Sequence, residues 1–387
     1  MERFNLNYSN KNIPIPNKEE YKLLLTAKTN SLIKRMRWKA LEFLGQLPST
    51  SKETYGFRSK NSPPVVAELS KFEEDLFNIV RNIEFRNIDN ELQRKMRIDI
   101  KTIKQSGKVI VPADKSTNLY KIDKEDYERY LTNNITKEYR KTSTSKADEI
   151  NKAAYNIAQN LNLVERMERL QQSEAYITVK DHKDDFPANP KFRLINPSKT
   201  DIGKVSKVIL DRMNKEILEK IKVNQWKSSK AVINWFKEVK EKQRCTFIKF
   251  DVDNFYPSIT LELFNKAIHF AKDHTNITED ELKTIMQARK TLLYHNGEPW
   301  TKKNDEADFD VPMGSYDGAE LCELVGAFML TELDGVINKA DIGLYRDDGL
   351  GVMRQLGKPE IERRKKIIIQ IFKQHKLGIT VSAGMLE

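Results

Sequence analysis

The sequence predicts an α+β fold, because helical and strand-like patterns are unevenly distributed along its 387 residues. Residues 1–95 are polar and mostly helical in pattern. Residues 96–244 mix helical stretches with short strand-like runs such as Val109-Ile110-Val111. From residue 245 onward, short apolar strands that carry acidic residues alternate with helical stretches. A helical first part followed by intermixed strands and helices predicts the α+β class.

The first 95 residues are predicted to form a basic helical region, anchored by the apolar runs Leu23-Leu24-Leu25 and Leu41-Glu42-Phe43-Leu44. Between them stands Lys34-Arg35-Met36-Arg37-Trp38-Lys39. This run either contacts phosphates and stacks on a base, or forms an exposed basic helix with Trp38 packed inward. Ser62-Pro63-Pro64 ends any preceding helix.

Five further helices are predicted from apolar positions at helical spacing. They lie near residues 147–171, 204–222, 278–294, 315–335 and 359–375. Two cysteines, Cys245 and Cys322, fall in predicted core segments, where a reduced thiol acts as a small apolar filler.

Tyr345-Arg346-Asp347-Asp348 stands between the apolar runs Ile342-Gly343-Leu344 and Leu350-Gly351-Val352-Met353. This pattern predicts a β-hairpin with two carboxylates at its tip. Gly349, directly after the acidic pair, supplies the Asp-Gly turn signal. At a tip, neither carboxylate has to be buried without a partner, so both are candidate metal ligands.

A third acid comes from the β-prone run that begins at Cys245 and delivers Asp251 at its end, where Pro257 is expected to stop the strand. Asp251 and the hairpin acids converge if their strands are neighbours in one sheet. Convergent Asp oxygens bind Mg²⁺, and two ions about 3.5 to 4 Å apart support in-line nucleotidyl transfer. Taken alone, Asp251 is better interpreted as a solvated acid at the end of a strand, and the other motifs shift the balance toward a metal ligand.

Several separated blocks, in the same order, resemble the reverse transcriptases and in particular those of Penelope-like retroelements. Three blocks resemble the palm motifs of that family: Asp251-Val252-Asp253-Asn254-Phe255-Tyr256-Pro257-Ser258-Ile259, Val311-Pro312-Met313-Gly314-Ser315 and Tyr345-Arg346-Asp347-Asp348. Others resemble the blocks that precede the palm: Ala113-Asp114-Lys115 with Asp126-Tyr127, Lys180-Asp181-His182-Lys183 and Phe192-Arg193-Leu194-Ile195. The resemblance spans residues 110 to 380.

The resemblance implies a right-hand polymerase fold. Residues 96–244 would be the fingers and residues 245–387 the palm, preceded by the basic helical region of residues 1–95. The family's fourth palm motif is matched near Lys376-Leu377-Gly378, shortly before the sequence ends. We therefore expect the thumb to be missing, with a weaker grip on a primer-template duplex.

The resemblance also implies the catalytic set. Asp251 and Asp347 would be the principal metal ligands and Asp348 the supporting carboxylate. The carbonyl group of Val252 is an additional backbone ligand in this interpretation. The expected cofactor is a pair of Mg²⁺ ions, with Mn²⁺ as the alternative. Arg346, at the variable position, would pair either with a primer phosphate or with one of the acids, and the second option would compete with the metal.

Six residues are implied in binding the nucleotide. Tyr256 matches an aromatic steric gate that would collide with a ribose 2′-hydroxyl and so favour deoxynucleotides, although an aromatic after a strand also serves core packing. Met313 and Gly314 would let the backbone approach the nascent base pair, the alternative being a glycine turn into a buried helix. Lys180, Lys183 and Arg193 would hold the triphosphate, or else belong to the general population of solvated cations.

Composition agrees with a polyanionic partner. The formal charge is +11 and the isoelectric point is near 9.2, which favours binding of a nucleic-acid backbone without sequence preference. No signal segment and no uncharged apolar run of about 18 residues occurs, so we expect no membrane association and an intracellular location, nuclear or cytoplasmic.

Two functions are consistent with these residues. The first is the RNA-directed DNA polymerase core of a retroelement, which extends a DNA primer on an RNA template with deoxynucleoside triphosphates. The second is a truncated remnant of such an element, which binds nucleic acid without turnover.

Overall fold

The computed structural model describes residues 2–4, 18–46, 54–57, 60–86, 90–167, 174–303 and 308–385. In chain order its elements are β1 (Glu2–Phe4), α1 (Lys18–Phe43), α2 (Ser70–Asn82), α3 (Glu91–Gln105), β2 (Val109–Pro112), β3 (Leu119–Ile122), α4 (Lys124–Glu138), β4 (Tyr139–Lys141), α5 (Thr144–Asn160), β5 (Tyr176–Val179), β6 (Phe192–Ile195), α6 (Asp201–Ile221), β7 (Asn224–Gln225), α7 (Ser229–Glu238), β8 (Cys245–Val252), α8 (Phe255–Ser258), α9 (Leu261–Lys272), α10 (Glu279–Arg289), β9 (Leu293–His295), β10 (Glu298–Lys302), α11 (Gly318–Glu332), β11 (Ile342–Tyr345), β12 (Asp348–Arg354), α12 (Lys358–Gln374) and β13 (Ile379–Met385).

The chain divides into two compact units. The first unit comprises Met1–Asn134 and Ile177–Arg193, and the second comprises Ile135–Tyr176 and Leu194–Glu387. This division follows compactness alone, so the predicted functional boundaries at residues 95 and 244 stay predictions. Within the described parts of the chain, no helix is both long and apolar enough to cross a membrane.

The first unit has a small core built on the β2–β3 hairpin. β1, β3 and β2 form an antiparallel sheet in that order. Its buried apolar residues are Val111, Ala113, Tyr120, Ile122 and Val179. This core fixes the segment that follows β2 and the segment that follows β5, both of which carry cations.

Helices α1 and α2 of the first unit are joined by an ion pair. Arg37 donates from Nε to Glu73 Oε1 at 2.6 Å and from Nη2 to the other carboxylate oxygen. This hydrogen bond holds the pKa of Glu73 below its usual value. Leu41 is buried as predicted and Leu25 is half-buried, but Leu23 is 72% exposed and Phe43 is 91% exposed, so each of the two predicted anchors is only partly confirmed. The amphipathic face of α1 passes through Ile33 and Leu41.

A five-stranded sheet organises the second unit, with the order β13-β8-β12-β11-β7. β8 is an internal strand of this sheet: antiparallel β12 pairs along one side and antiparallel β13 along the other. β11 and β12 form an antiparallel hairpin, and β7 adds a short parallel edge to β11. The sheet therefore brings three sequence-distant segments together along β8.

Toward its C-terminal end, β8 separates a covered face of this sheet from a face that is open around Asp251, although nearer the start of the strand α7 also covers that second face at Phe247. Ile248, Phe250 and Val252 are buried, whereas Lys249 and Asp251 are exposed. Phe250 packs edge-on against Phe372 of α12, with ring centroids 5.6 Å apart. Because successive strand residues face opposite ways, burial of these apolar side chains forces Asp251 outward.

The predicted helices are confirmed with small shifts at their ends. The stretches predicted at 204–222, 315–335 and 359–375 are α6, α11 and α12, each within three residues of the predicted limits. α5 ends at Asn160, short of the predicted 171, because Asn162 takes a left-handed conformation with φ of 55°. Residues 168–171 of that prediction lie outside the described residues.

Two further expectations need correction. α10 ends at Arg289, five residues before the predicted limit, because the chain enters a β-bridge between Lys290 and Phe309. Pro257 does not stop β8: the strand ends at Val252, and Pro257 lies inside the short helix α8. The left-handed Asn254, with φ of 47°, makes the turn between them. Both cysteines are buried and unpaired, as predicted.

Gly349 of β12 lies directly under the ring of Phe250. A Cβ atom at Gly349 would stand 2.0 Å from Cζ of Phe250, and that ring is buried against α12 and has no room to retreat. Close approach of the strand to this ring, and not a turn, therefore requires a glycine here.

Replacement of Gly349 by Ala is expected to lower the free energy of unfolding by about 1 to 3 kcal/mol through overpacking. Gly384→Ala in β13 is the matched control, because its Cβ would meet no atom within 4 Å. Urea unfolding of both variants measures the difference. Equal stability of the two variants would contradict the packing described for Phe250.

Candidate active site

The hairpin that carries the acidic pair turns through two residues, Arg346 and Asp347. Tyr345 pairs with Asp348 across it, and Arg346 has the left-handed φ of 58° that such tight turns need at their first central position. The predicted hairpin is confirmed, but the turn falls two residues before the predicted Asp-Gly step. Asp348 and Gly349 are the first two residues of β12, where Gly349 packs beneath the ring of Phe250.

Three acids meet at one corner of the sheet. Asp348 is the direct cross-strand partner of Asp251, so both side chains rise from the open face. The backbone N–H of Val252 donates to the carbonyl oxygen of Asp347 at 2.9 Å. This bond ties the turn to the end of β8 and places Asp347 beside the other two. Asp251, Asp347 and Asp348 are all exposed.

The corner suits a hard divalent cation in the chemistry of its donors, since Mg²⁺ prefers carboxylate oxygens. As they stand, however, no three His, Cys, Asp or Glu side chains among the described residues are grouped closely enough to hold a metal. The corner therefore suits a divalent cation in two respects: its donors are carboxylate oxygens, and the strand register already places Asp251 opposite Asp348.

Arg346 leans toward its neighbour in the hairpin. Its guanidinium carbon lies 5.8 Å from the centre of the Tyr345 ring. In the part of the chain that the structure describes, Arg346 forms no ion pair with an acid, which favours the alternative in which the cation stays available to a phosphate.

Tyr256 lies in α8, five residues after Asp251, and is half-buried. Its ring packs on α11, where a Cβ at Gly318 would come within 3.3 Å of Cε1. Burial raises the pKa of Tyr256, Cys322 and the Asp347 carboxylate raise it further, and Arg346 acts in the opposite direction. These influences place the ring close to the acidic corner, a position that both the steric gate and the packing interpretation accommodate.

Met313 and Gly314 lie in the loop before α11. Gly314 has φ of 113°, and a Cβ there would stand 2.8 Å from the carbonyl oxygen of Asn196. The glycine is thus required where this loop crosses residues 195–196. Ser315 closes the loop by donating from its backbone to the carbonyl oxygen of Pro312 at 3.4 Å.

A groove of about 550 Å³ opens beside the acidic corner on the open face of the sheet. Asp251 and Asp348 are among the residues that line it, together with Val232 and Ile233 of α7. Such a groove gives a chain-like ligand a path to the carboxylates along partly apolar walls.

No family model matches this chain, and no curated protein matches it either. Among solved structures it is similar to telomerase from Candida albicans in complex with the TWJ fragment of telomeric RNA, with 12% identity, a TM-score of 0.52, and coverage of 98% of this chain and 72% of that one. It is also similar to apo telomerase from Candida tropicalis, with 9% identity, a TM-score of 0.50, and coverage of 84% and 64%. The chain has a reverse-transcriptase-like fold.

This reverse-transcriptase-like fold confirms the predicted mixture of helices and sheet at a coarse level. The narrower resemblance to Penelope-like elements stays a prediction, as do the site roles.

Sequence reasoning missed a buried ionic network that supports the loop of Gly314. Arg289 and Asp317 are both fully buried and form an ion pair, and Ser206 donates to the second oxygen of Asp317 at 2.5 Å. Asp317 is the residue directly before α11, so the network joins α6, α10 and the start of α11. No local pattern distinguishes these three residues from surface polar residues.

The three cations predicted to bind the triphosphate lie together in the first unit. Arg193 donates from Nη1 to Asp114 Oδ1 at 2.8 Å. Burial lowers the pKa of Lys180; the charges of Arg193, Lys183 and Lys115 lower it further, whereas Asp114 raises it. Lys115 and Asp114 were quoted in the sequence motifs without a role, and the structure adds both to this cluster.

Arg289→Met is expected to lower the free energy of unfolding by about 3 to 5 kcal/mol, because Asp317 would be left buried without its cation. The double variant Arg289→Met/Asp317→Leu should recover part of that loss. Lys266→Met, which removes one partner of an exposed ion pair with Glu262, is the control and should leave the unfolding midpoint almost unchanged. Urea unfolding compares the three. A double variant no more stable than Arg289→Met would contradict the account.

Proposed function

We propose that this chain is the RNA-directed DNA polymerase core of a retroelement, similar to those of Penelope-like elements. The observation that carries the proposal is the convergence of Asp251, Asp347 and Asp348 at one corner of a sheet in a reverse-transcriptase-like fold. In this proposal the five-stranded sheet is the palm, and the cationic segments of the first unit belong to the fingers.

The reaction joins the primer 3′-oxygen to the α-phosphorus of a deoxynucleoside triphosphate and breaks the α–β phosphoanhydride bond, which releases pyrophosphate. Two Mg²⁺ ions would activate the 3′-hydroxyl and offset the charge of the leaving group. Asp251, Asp347 and Asp348 would hold these ions, with the Val252 carbonyl as a backbone ligand. Mn²⁺ would substitute at the same oxygens.

The remaining residues would position the nucleotide. Lys180, Lys183 and Arg193 would bind its phosphates, the arginine through paired hydrogen bonds and the lysines as point charges. Tyr256 would lie beneath the sugar and exclude a 2′-hydroxyl. Met313 and Gly314 would approach the nascent base pair.

The RNA template and DNA primer are proposed partners, supported by the net charge of +11. One comparison structure is a telomerase in complex with a telomeric RNA fragment, which makes an RNA ligand reasonable for a chain of similar fold. The Penelope-like assignment draws on Met313 and on the order of the blocks before the palm.

A second candidate is a chain that binds primed RNA without turnover. It is favoured by one observation: the three acids share a corner, yet the described side chains do not form a ready metal cluster. The two candidates differ in whether nucleotide is incorporated.

Asp347→Asn is expected to reduce primer extension by at least about 100-fold, because a charged ligand of the proposed ions is lost while side-chain volume is kept. Purified protein, Mg²⁺, a primed RNA template and deoxynucleotides provide the assay. Asp253→Asn is the matched control, an exposed acid two residues beyond Asp251 that is outside the proposed ligand set. Wild-type protein that binds primed RNA but makes no product would favour the second candidate.

Tyr256→Ala is expected to raise ribonucleotide incorporation relative to deoxynucleotide incorporation by about tenfold or more, since the bulk beneath the sugar is removed. Tyr256→Phe keeps the ring and should keep the discrimination. The ratio of kcat/KM for the two nucleotides measures the effect. If Tyr256 only fills the core, Tyr256→Ala will lower the unfolding midpoint and leave that ratio unchanged.

A further inference from the structure

Asp114 is a buried acid in the middle of a cationic cluster. Its side chain is only 6% exposed. One carboxylate oxygen accepts the hydrogen bond from Arg193, and the other, Oδ2, is buried without a hydrogen-bond partner. A buried carboxylate with an unused oxygen is costly unless charge surrounds it.

The backbone at Asp114 is fixed on both sides. Its N–H donates to the carbonyl oxygen of Val179 at 2.8 Å, and Ala113 forms a parallel β-bridge with the same residue. The acid therefore stands at a set place beside the segment that carries Lys180 and Lys183.

A second acid holds the two segments together. Asp181 Oδ2 accepts hydrogen bonds from Ser116 at 2.7 Å, Asn118 at 2.8 Å and Tyr120 at 3.0 Å. Burial acts to raise the pKa of Asp181, but these hydrogen bonds outweigh it and the pKa is lowered. The turn after β2 and the segment after β5 are thus held at constant spacing.

Around Asp114 the charges do not balance. Lys115, Lys183 and Arg193 act on the neighbouring Lys180 together with Asp114, so four positive charges gather here against the two negative charges of Asp114 and Asp181. Cations crowded in this way repel one another, so the cluster is suited to an anion that carries several charges. Arg193 is 33% exposed, and its Nη1 is already directed to Asp114, which leaves its other edge to donate to a phosphate.

We propose that Asp114 is a positioning residue, which orients the Arg193 guanidinium and holds the four cations together for the triphosphate of the incoming nucleotide. The inference rests on the proposed function and extends it to a residue that does not itself touch the ligand. Asp114 acts through Arg193, and its charge also raises the pKa of Lys180 against the effect of the other cations.

Removing the charge of Asp114 distinguishes a role in orienting Arg193 from a purely electrostatic effect on anion binding. By Coulomb's law alone, Asp114→Asn makes the cluster more positive and should tighten the binding of an anion. If Asp114 orients Arg193, the same variant should weaken anion binding by about tenfold, which corresponds to the loss of one charge-assisted hydrogen bond. The two explanations predict opposite signs.

Isothermal titration of the full chain with inorganic tripolyphosphate, and separately with dTTP, measures this sign. Asp185→Asn is the matched control: it removes an exposed acid from the same segment, paired with Lys191 at 3.4 Å, and should leave binding unchanged within about twofold. Arg193→Lys keeps the charge and loses the fork, so it should weaken binding as Asp114→Asn does. The double variant Asp114→Asn/Arg193→Lys should bind tripolyphosphate no more weakly than the weaker of the two single variants, because both changes remove the same contact.

The pH dependence gives a readout that a purely structural role would not move. Anion binding should weaken as pH rises through the pKa of Lys180, which burial lowers most, Arg193, Lys183 and Lys115 lower further, and Asp114 raises. In Asp114→Asn this loss should therefore occur at a lower pH than in the wild-type chain.

Unchanged or tighter tripolyphosphate binding by Asp114→Asn overturns the positioning role and leaves the proposed polymerase intact. If Asp114→Asn does not fold, Arg193→Lys decides the matter: unchanged binding by that variant overturns the proposal. A wild-type chain that binds neither probe removes the triphosphate site itself, and the proposed nucleotide function with it.

Discussion

The pairing of β8 with β12 is the constraint on which the acidic corner depends. Asp251 faces Asp348 only because the strands are held in this register by buried residues on the other face, among them Phe250 and Met353. A slip by one residue would turn Asp251 toward the covered side, where a carboxylate is costly. Packing on one face thus determines the chemistry available on the other.

Two segments near the predicted site residues are each held by a buried acid paired with an arginine. Arg289 and Asp317 support the loop of Gly314 in the second unit, and Asp114 holds Arg193 in the first. The acids of the corner are exposed, as groups that meet a cation or substrate must be, whereas the residues that orient the neighbouring segments are buried. Low exposure makes these supporting pairs sensitive to the loss of either partner.

Much of the local structure was predictable from the sequence. The acid-bearing hairpin, the strand that carries Asp251 and the five later helices follow from apolar spacing, three of these helices to within three residues at both ends. The ordered motifs indicated a fold that the telomerase comparison bears out at a coarse level. The wrong predictions have a common cause, since each assigned a turn or a strand end from one residue type alone. Gly349 looked like a turn residue and Pro257 like a strand stop, but the first is a glycine because of the ring of Phe250, and the second follows a turn already made at Asn254.

By itself, the sequence determined which residue types could do chemistry and in what order they occur, because periodicity and turn signals are local properties of the chain. Only the tertiary structure decided which of them are neighbours. It places Asp251 opposite Asp348 and connects Val252 to Asp347 through a backbone hydrogen bond. It also forms the hydrogen bond between Arg193 and Asp114, which are 79 positions apart in the sequence. Such partnerships arise from strand register and burial, which depend on contacts between distant segments that no local pattern encodes.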